Sequence, residues 1–225
     1  MKTISGLRLL LIGSTAGLTA LSAAAAPVLF NFSNEFSGTG LNCNGSCATL
    51  SVEQVGTGVN FIFTGTMNGS QFLSELNGNR SPYVASSPSS VSKTGFTTAS
   101  FTTSQDAQAH KADGDGFFDW EWNFGSSEND RFGGTDVLSW TFANTSIADI
   151  IGAVSVNGPV GKNGFTFAVH AQELGQDGRG SGWLNATTGG TPPTQVPEPG
   201  TALLAGLALL GLAASRKRPP KTDKA

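Results

Sequence analysis

Three aspartates at short intervals are the residues best spaced to do chemistry. They are Asp113, Asp115 and Asp119, in Lys111-Ala112-Asp113-Gly114-Asp115-Gly116-Phe117-Phe118-Asp119. Carboxylates at alternate positions between glycines converge on a hard cation, and DGDGxxD has the core spacing of aspartate-rich calcium loops, with Phe117 offering a backbone carbonyl. The full loop asks for an acidic residue where Lys111 stands and a glutamate at the twelfth position, where Trp122 stands. A tight turn feeding a strand is the competing reading, because Asp-Gly pairs are strong hairpin signals. Calcium held by Asp113, Asp115 and Asp119 is thus one expectation and a plain turn the other. Glu128, Asp130 and Asp136 on the following loop are placed to join a cation site across the hairpin.

Other chemistry is thinly represented. The two histidines, His110 and His170, are far apart in sequence, and no GxSxG elbow accompanies either. Ser90-Val91-Ser92-Lys93 matches SxxK and Lys93-Thr94-Gly95 matches KTG, but the two share Lys93, so neither stands as an independent element. P-loop, dinucleotide and HExxH patterns are missing. The expectation is no catalytic residue and no enzyme. Cys43 and Cys47 flank three residues. In an exported chain that spacing reads as a small disulfide loop, stabilising by about 2 kcal/mol in the chain-entropy model.

The elements that must position these residues are strands. Period-two alternation, the pattern of a half-buried strand, marks Val28–Phe36, Ala48–Val55, Val59–Thr66, Gly95–Thr103, Phe117–Phe124, Asp136–Phe142 and Phe165–Leu174. Gln71–Leu76 reads as a short strand, Ser81–Ser92 as a surface loop, and Ser146–Ile151 as the one short helix. Phe118, Trp120, Trp122 and Phe124 share a face, answered by Leu138, Trp140 and Phe142. Such rows form either a sandwich core or a sugar-stacking platform, and the core reading is preferred. Trp183, among glycines, is the better candidate for an exposed ring. The fold class expected is all-β, an antiparallel β-sandwich of jelly-roll type, with a closed barrel as the alternative.

The chain ends read as targeting segments. Lys2 and Arg8, the apolar run Leu9–Leu21 and Ser22-Ala23-Ala24-Ala25-Ala26 describe a secretory signal helix over residues 1–25, with cleavage expected after Ala25. The ectodomain is then 26–187 and a Gly/Pro linker 188–195. Residues 201–214 form a charge-free apolar run. As a helix this run reaches about 21 Å, short of a hydrocarbon core of about 30 Å. Arg216, Lys217 and Arg218 follow as a basic stop that favours the cytoplasmic side, leaving 221–225 as a cytoplasmic tail. Residues 26–195 carry six basic against fourteen acidic side chains, a balance of −8. That surface argues against nucleic acid and anionic membranes as partners.

Val196-Pro197-Glu198-Pro199, the apolar run and Arg216-Lys217-Arg218 together, within residues 196–220, resemble the PEP-CTERM sorting signal of Gram-negative bacteria. The resemblance implies the secretion machinery and exosortase, a membrane protease/transpeptidase, as partners. It also implies a transient stay in the inner membrane through a single helix over 201–214, cleavage near the PEP motif, and transfer to the cell surface or extracellular matrix. GDGFFDWEWNFG and FTFAVHAQELGQDGRGSGWL look like ectodomains of exosortase-sorted proteins, a likeness that transfers no functional residue. The expected function is a non-enzymatic surface or matrix protein associated with the exopolysaccharide/biofilm layer. The alternative is a calcium-assisted carbohydrate-binding module.

Overall fold

Strands rich in Val, Phe, Trp and Thr with one apolar side bury that side only by facing another sheet or by curling over themselves. In the computed structural model this chain curls. The structure describes residues 26–38, 43, 45–67, 69–112, 116–127, 130–154, 164–174 and 179–188. The expected signal helix over 1–25, the membrane helix over 201–214 and the tail over 221–225 lie outside the described residues. Among the described residues no helix is long and apolar enough to cross a membrane.

The strands in chain order are β1 Val28–Gly38, β2 Ala48–Val55, β3 Gly58–Gly65, β4 Phe72–Gly78, β5 Ser89–Thr94 and β6 Ala99–Thr103. They continue as β7 His110–Lys111, β8 Phe117–Phe118, β9 Trp120–Phe124, β10 Val137–Phe142, β11 Phe167–Leu174 and β12 Gly180–Thr188. One helical turn, α1 Ile147–Ile151, interrupts them. Ten strands make one antiparallel sheet in the order β5-β10-β3-β2-β1-β12-β11-β4-β9-β6, and β7 and β8 form a separate hairpin. The fold is therefore all-β and antiparallel, as the alternation predicts.

The ten-stranded sheet doubles over about β1 and β12. β1 carries two register shifts, between Phe32 and Asn34 and between Glu35 and Ser37, and bulges bend a strand and increase its twist. One wing (β5, β10, β3, β2) then faces the other (β11, β4, β9, β6). The contacts between them are aromatic. Phe61 on β3 stacks on Trp140 of its own wing, centroids 4.8 Å apart at 2°, and meets Trp120 of the far wing edge-on at 6.3 Å. Trp122 meets Trp140 at 5.5 Å, and Phe63 lies parallel to Phe124 at 6.1 Å. The layering is sandwich-like, although the wings are continuous through hydrogen-bonded strands. Among the described residues β5 and β6 are its two edges and do not pair with each other, so these ten strands do not close into a barrel.

Gly78 shows how closely the wing is packed. It sits opposite Trp120, and a Cβ built on it would lie 2.1 Å from the indole. Only glycine lets the ring lie flat across β4 at this point.

Several elements differ from the sequence expectation: β7 falls in no expected strand, the expected strand Phe117–Phe124 is broken into β8 and β9, and β5 and β12 lie outside the expected strands. β5 lies partly inside the stretch read as a loop, Ser81–Ser92. All six of its residues are exposed, so it has no apolar alternation to betray it, and pairing with β10 alone makes it a strand. β12, with its glycines, carries little strand signal, yet it is a central strand paired with both β1 and β11. It extends to Thr188, the first residue assigned to the linker.

Candidate functional site

The strands on either side of the Asp-Gly segment pair with each other. His110 and Lys111 pair with Phe118 and Phe117, and the Ala112 N–H donates to the Gly116 carbonyl at 3.1 Å. Asp113 and Asp115 lie outside the described residues. Asp119 is described, 4% exposed, and employed as a backbone acceptor. Its Oδ2 accepts from the Arg80 N–H at 2.8 Å and its Oδ1 from the Gln108 N–H at 2.9 Å. One buried carboxylate thus ties the chain after β4 and the loop before β7 to the break between β8 and β9. That break explains a departure from the expected face: Phe118 leaves the row of Trp120, Trp122 and Phe124. It packs instead with Ala112, Ala168 and Trp183 in a second, smaller cluster on the outer side of the wing.

Asp130 and Asp136, the other described candidates, are also occupied as hydrogen-bond acceptors. Asp130 accepts from the hydroxyls of Ser127, Thr97 and Thr98. Those hydrogen bonds, to Ser127 first, hold its carboxyl below the ordinary range. Asp136 Oδ2 accepts from the Gly133 N–H at 2.9 Å. Glu128 lies outside the described residues. Among the described residues, no three His, Cys, Asp or Glu side chains converge as a metal site would require.

Both histidines stand on the outer side of the β11–β4–β9–β6 wing, each beside a glutamate from another strand. His110 Nδ1 lies 3.3 Å from Glu121 Oε2, both largely buried. The hydrogen bond to His110 is the main reason the Glu121 carboxyl is held below its ordinary value, with burial opposing. His170 stacks on Trp183, centroids 4.7 Å apart at 9°. Trp183, expected as an exposed ring, is only 6% exposed, because the β7–β8 hairpin and His170 cover it. A register shift between His170 and Ala171 brings Ser74 and Glu75 of β4 to the same imidazole. Ser74 Oγ is 2.9 Å from Nδ1, and Glu75 Oε1 is 3.8 Å from that same atom. A nucleophile–base–orienter relay uses the two ring nitrogens for two different partners. Here serine and carboxylate share one nitrogen, so this Ser–His–Glu grouping lacks the geometry of a relay. Sequence reasoning missed it, because the bulge that assembles it leaves no periodic signal.

A small cleft is lined by Arg80, Tyr83, Phe101, Thr103, Trp120 and Phe142, with room for roughly one water molecule. Arg80 is fastened within it. Its Nη1 donates to Ser86 Oγ at 3.0 Å and its Nη2 to the Asn144 carbonyl at 3.1 Å. Burial lowers the pKa of its guanidinium, and Asp149 opposes the shift. Asp149 and Ser146 form the capping box of α1.

Cys43 and Cys47 are joined in a disulfide with Cα atoms 5.2 Å apart. The Cys47 N–H donates to the Phe32 carbonyl at 2.9 Å, which fixes the small loop against β1.

Val196, Pro197, Glu198, Pro199, Arg216, Lys217 and Arg218 lie outside the described residues, so their function is read from sequence. Residues 195–218 match the family model described as PEP-CTERM protein-sorting motif. The chain carries a PEP-CTERM sorting motif. The match spans the PEP tetrapeptide, the apolar run and the basic cluster, in that order. No curated protein and no solved structure matches the chain. The PEP-CTERM motif implies export, processing by exosortase and sorting to the cell surface. The folded strands are then the cargo, and the motif is its address.

Proposed function

We propose that this chain is a non-enzymatic surface or extracellular-matrix protein: a β-sandwich of jelly-roll type, delivered by exosortase and resident in the exopolysaccharide layer. The observation that carries the reading is the complete sorting motif at residues 195–218 on an exported acidic domain. Three features support it. The connections β3–β4, β4–β5, β5–β6, β9–β10 and β10–β11 each pass from one wing to the other, in keeping with jelly-roll winding. The aromatic rows are spent on the core. The Ser74–His170–Glu75 grouping lacks a two-sided relay.

In this reading the signal peptide, residues 1–25, directs export through the secretion machinery. The run 201–214 holds the chain briefly in the inner membrane, with Arg216-Lys217-Arg218 as its cytoplasmic stop. Exosortase then cuts near Pro197-Glu198-Pro199, and the acidic domain passes to the cell surface or matrix. Deleting Val196–Ala225 should abolish surface delivery while leaving the strands folded. Unchanged delivery would refute the sorting step.

The alternative, a calcium-assisted carbohydrate-binding module using Asp113, Asp115 and Asp119, draws less support. Both Asp119 oxygens already accept main-chain N–H groups. Calorimetric calcium uptake that disappears in Asp115→Ala would restore it.

A further inference from the structure

The outer face of the β5–β10–β3–β2 wing has an unusual composition. Register aligns its outward residues in rows that cross the strands. One row holds Thr49, Thr64 and Thr94, the next Ser51, Ser139 and Ser92, and a third Asn60, Thr141 and Ser89. Between these hydroxyls and amides stand three aliphatic residues: Leu29 at 42% exposure, Ile62 at 40%, and half-buried Val137. None of these twelve residues is buried. Among the described residues of this face Glu53 is the one carboxylate, at the end of the third row next to Asn60, and exposed Val55 follows it at the end of β2. A domain with a balance of −8 has kept nearly all its charge off this face.

We propose that this face is a docking surface for a neutral polysaccharide chain. The inference rests on the matrix reading above and adds the place of contact and the class of polymer. Hydroxyl and amide groups each donate and accept hydrogen bonds, which is what the hydroxyls of a neutral sugar present in return. They sit on strands about 4.8 Å apart, close to the advance of one pyranose ring along an extended chain. Ile62, flanked by Ser51 and Ser139 in one row, gives an apolar spot for the C–H side of a sugar ring. The backbone beneath is fixed by inward Phe61, Phe63 and Trp140, and the short Ser and Thr side chains have little rotamer freedom to lose on binding. From β2 to β5 the face has the breadth of four strands, about 14 Å. Charge argues against the other occupants. The surrounding acidic domain repels an anionic polymer and repels a second copy of itself, and the aliphatic residues, with Val55 and Val91 at the margins, are too scattered to give a homodimer a continuous apolar patch.

The test uses the exported protein recovered from the cell surface, incubated with microcrystalline cellulose, cross-linked dextran and carboxymethyl-cellulose. The expected result is retention on at least one neutral matrix and release from the carboxylated one. Ser51→Asp combined with Ser139→Asp should lower that retention at least tenfold without moving the melting temperature. Ser100→Asp, on the exposed edge strand β6, should leave retention unchanged. Three results would overturn the proposal: retention on neither neutral matrix, retention indifferent to the double substitution, or a dimer that the double substitution dissolves. Such a failure with C-terminal processing intact would leave the sorting reading standing, whereas loss of processing would count against sorting alone.

Discussion

Removing the Asp119 carboxylate distinguishes a structural acceptor from a metal ligand. Asp119→Ala strips acceptors from two main-chain N–H groups, those of Arg80 and Gln108. A hydrogen bond to a charged group contributes about 1.5–3 kcal/mol. The Arg80 bond is fully enclosed and loses that value, while the Gln108 bond is half-buried and recovers part of it from water. Together they put the loss at about 3 kcal/mol. For a domain of this size each kcal/mol moves Tm by about 2–4 °C, so the variant should melt roughly 6–12 °C below the parent. Asp119→Asn keeps one acceptor and turns an NH₂ toward a donor, so it should fall between. Melting followed by near-ultraviolet circular dichroism, in EDTA and again in millimolar calcium, separates the two roles. A structural acceptor gives the same drop in both buffers. If Asp119→Ala melted with the parent in EDTA and fell behind only in calcium, the structural assignment of this carboxylate would be wrong.

Other perturbations give sharp outcomes. Because the Glu121 carboxyl is held below its ordinary value of 4.5 chiefly by His110, its contribution is present above that value and is lost as pH falls through the lower folded-state value. Urea titrations between pH 6 and pH 3 should therefore show a smaller acid loss in Glu121→Gln than in the parent; equal slopes would contradict the pairing. Gly78→Ala places a methyl 2.1 Å from the Trp120 ring and should cost about 1–3 kcal/mol by overpacking, measured by urea unfolding with tryptophan emission as the probe. Cys43→Ser with Cys47→Ser opens a five-residue loop and should cost about 2 kcal/mol, read as a lower urea midpoint at unchanged slope.

The sequence announces strands that have one wet side and conceals those that do not. β2 runs Ala48–Val55, the span its alternation predicts, because Ala48, Leu50 and Val52 are buried and Thr49 and Ser51 are not. α1 is signalled by Ser146, whose hydroxyl caps the Asp149 N–H. β5 is concealed, since an edge strand exposed throughout owes its form to β10 and not to its own pattern. β12 is concealed because Gly180 and Gly182 look like a turn until β1 and β11 close on both sides. The candidate site divides similarly. The aspartate spacing draws the eye to this segment, but the duty of Asp119 depends on Arg80 and Gln108, distant in sequence or turned toward it only by folding. The Ser74–His170 contact likewise needs a bulge that no local residue type announces. The sorting motif is different in kind: a contiguous stretch whose order of parts is its whole content, and so fully legible in the amino-acid sequence.

Mass spectrometry of the protein recovered from cells with active exosortase tests the central claim most directly. The account predicts a polypeptide that begins at Ala26 and ends at or near Pro197-Glu198-Pro199, without Arg216-Lys217-Arg218. A mature chain still carrying that basic terminus would contradict it.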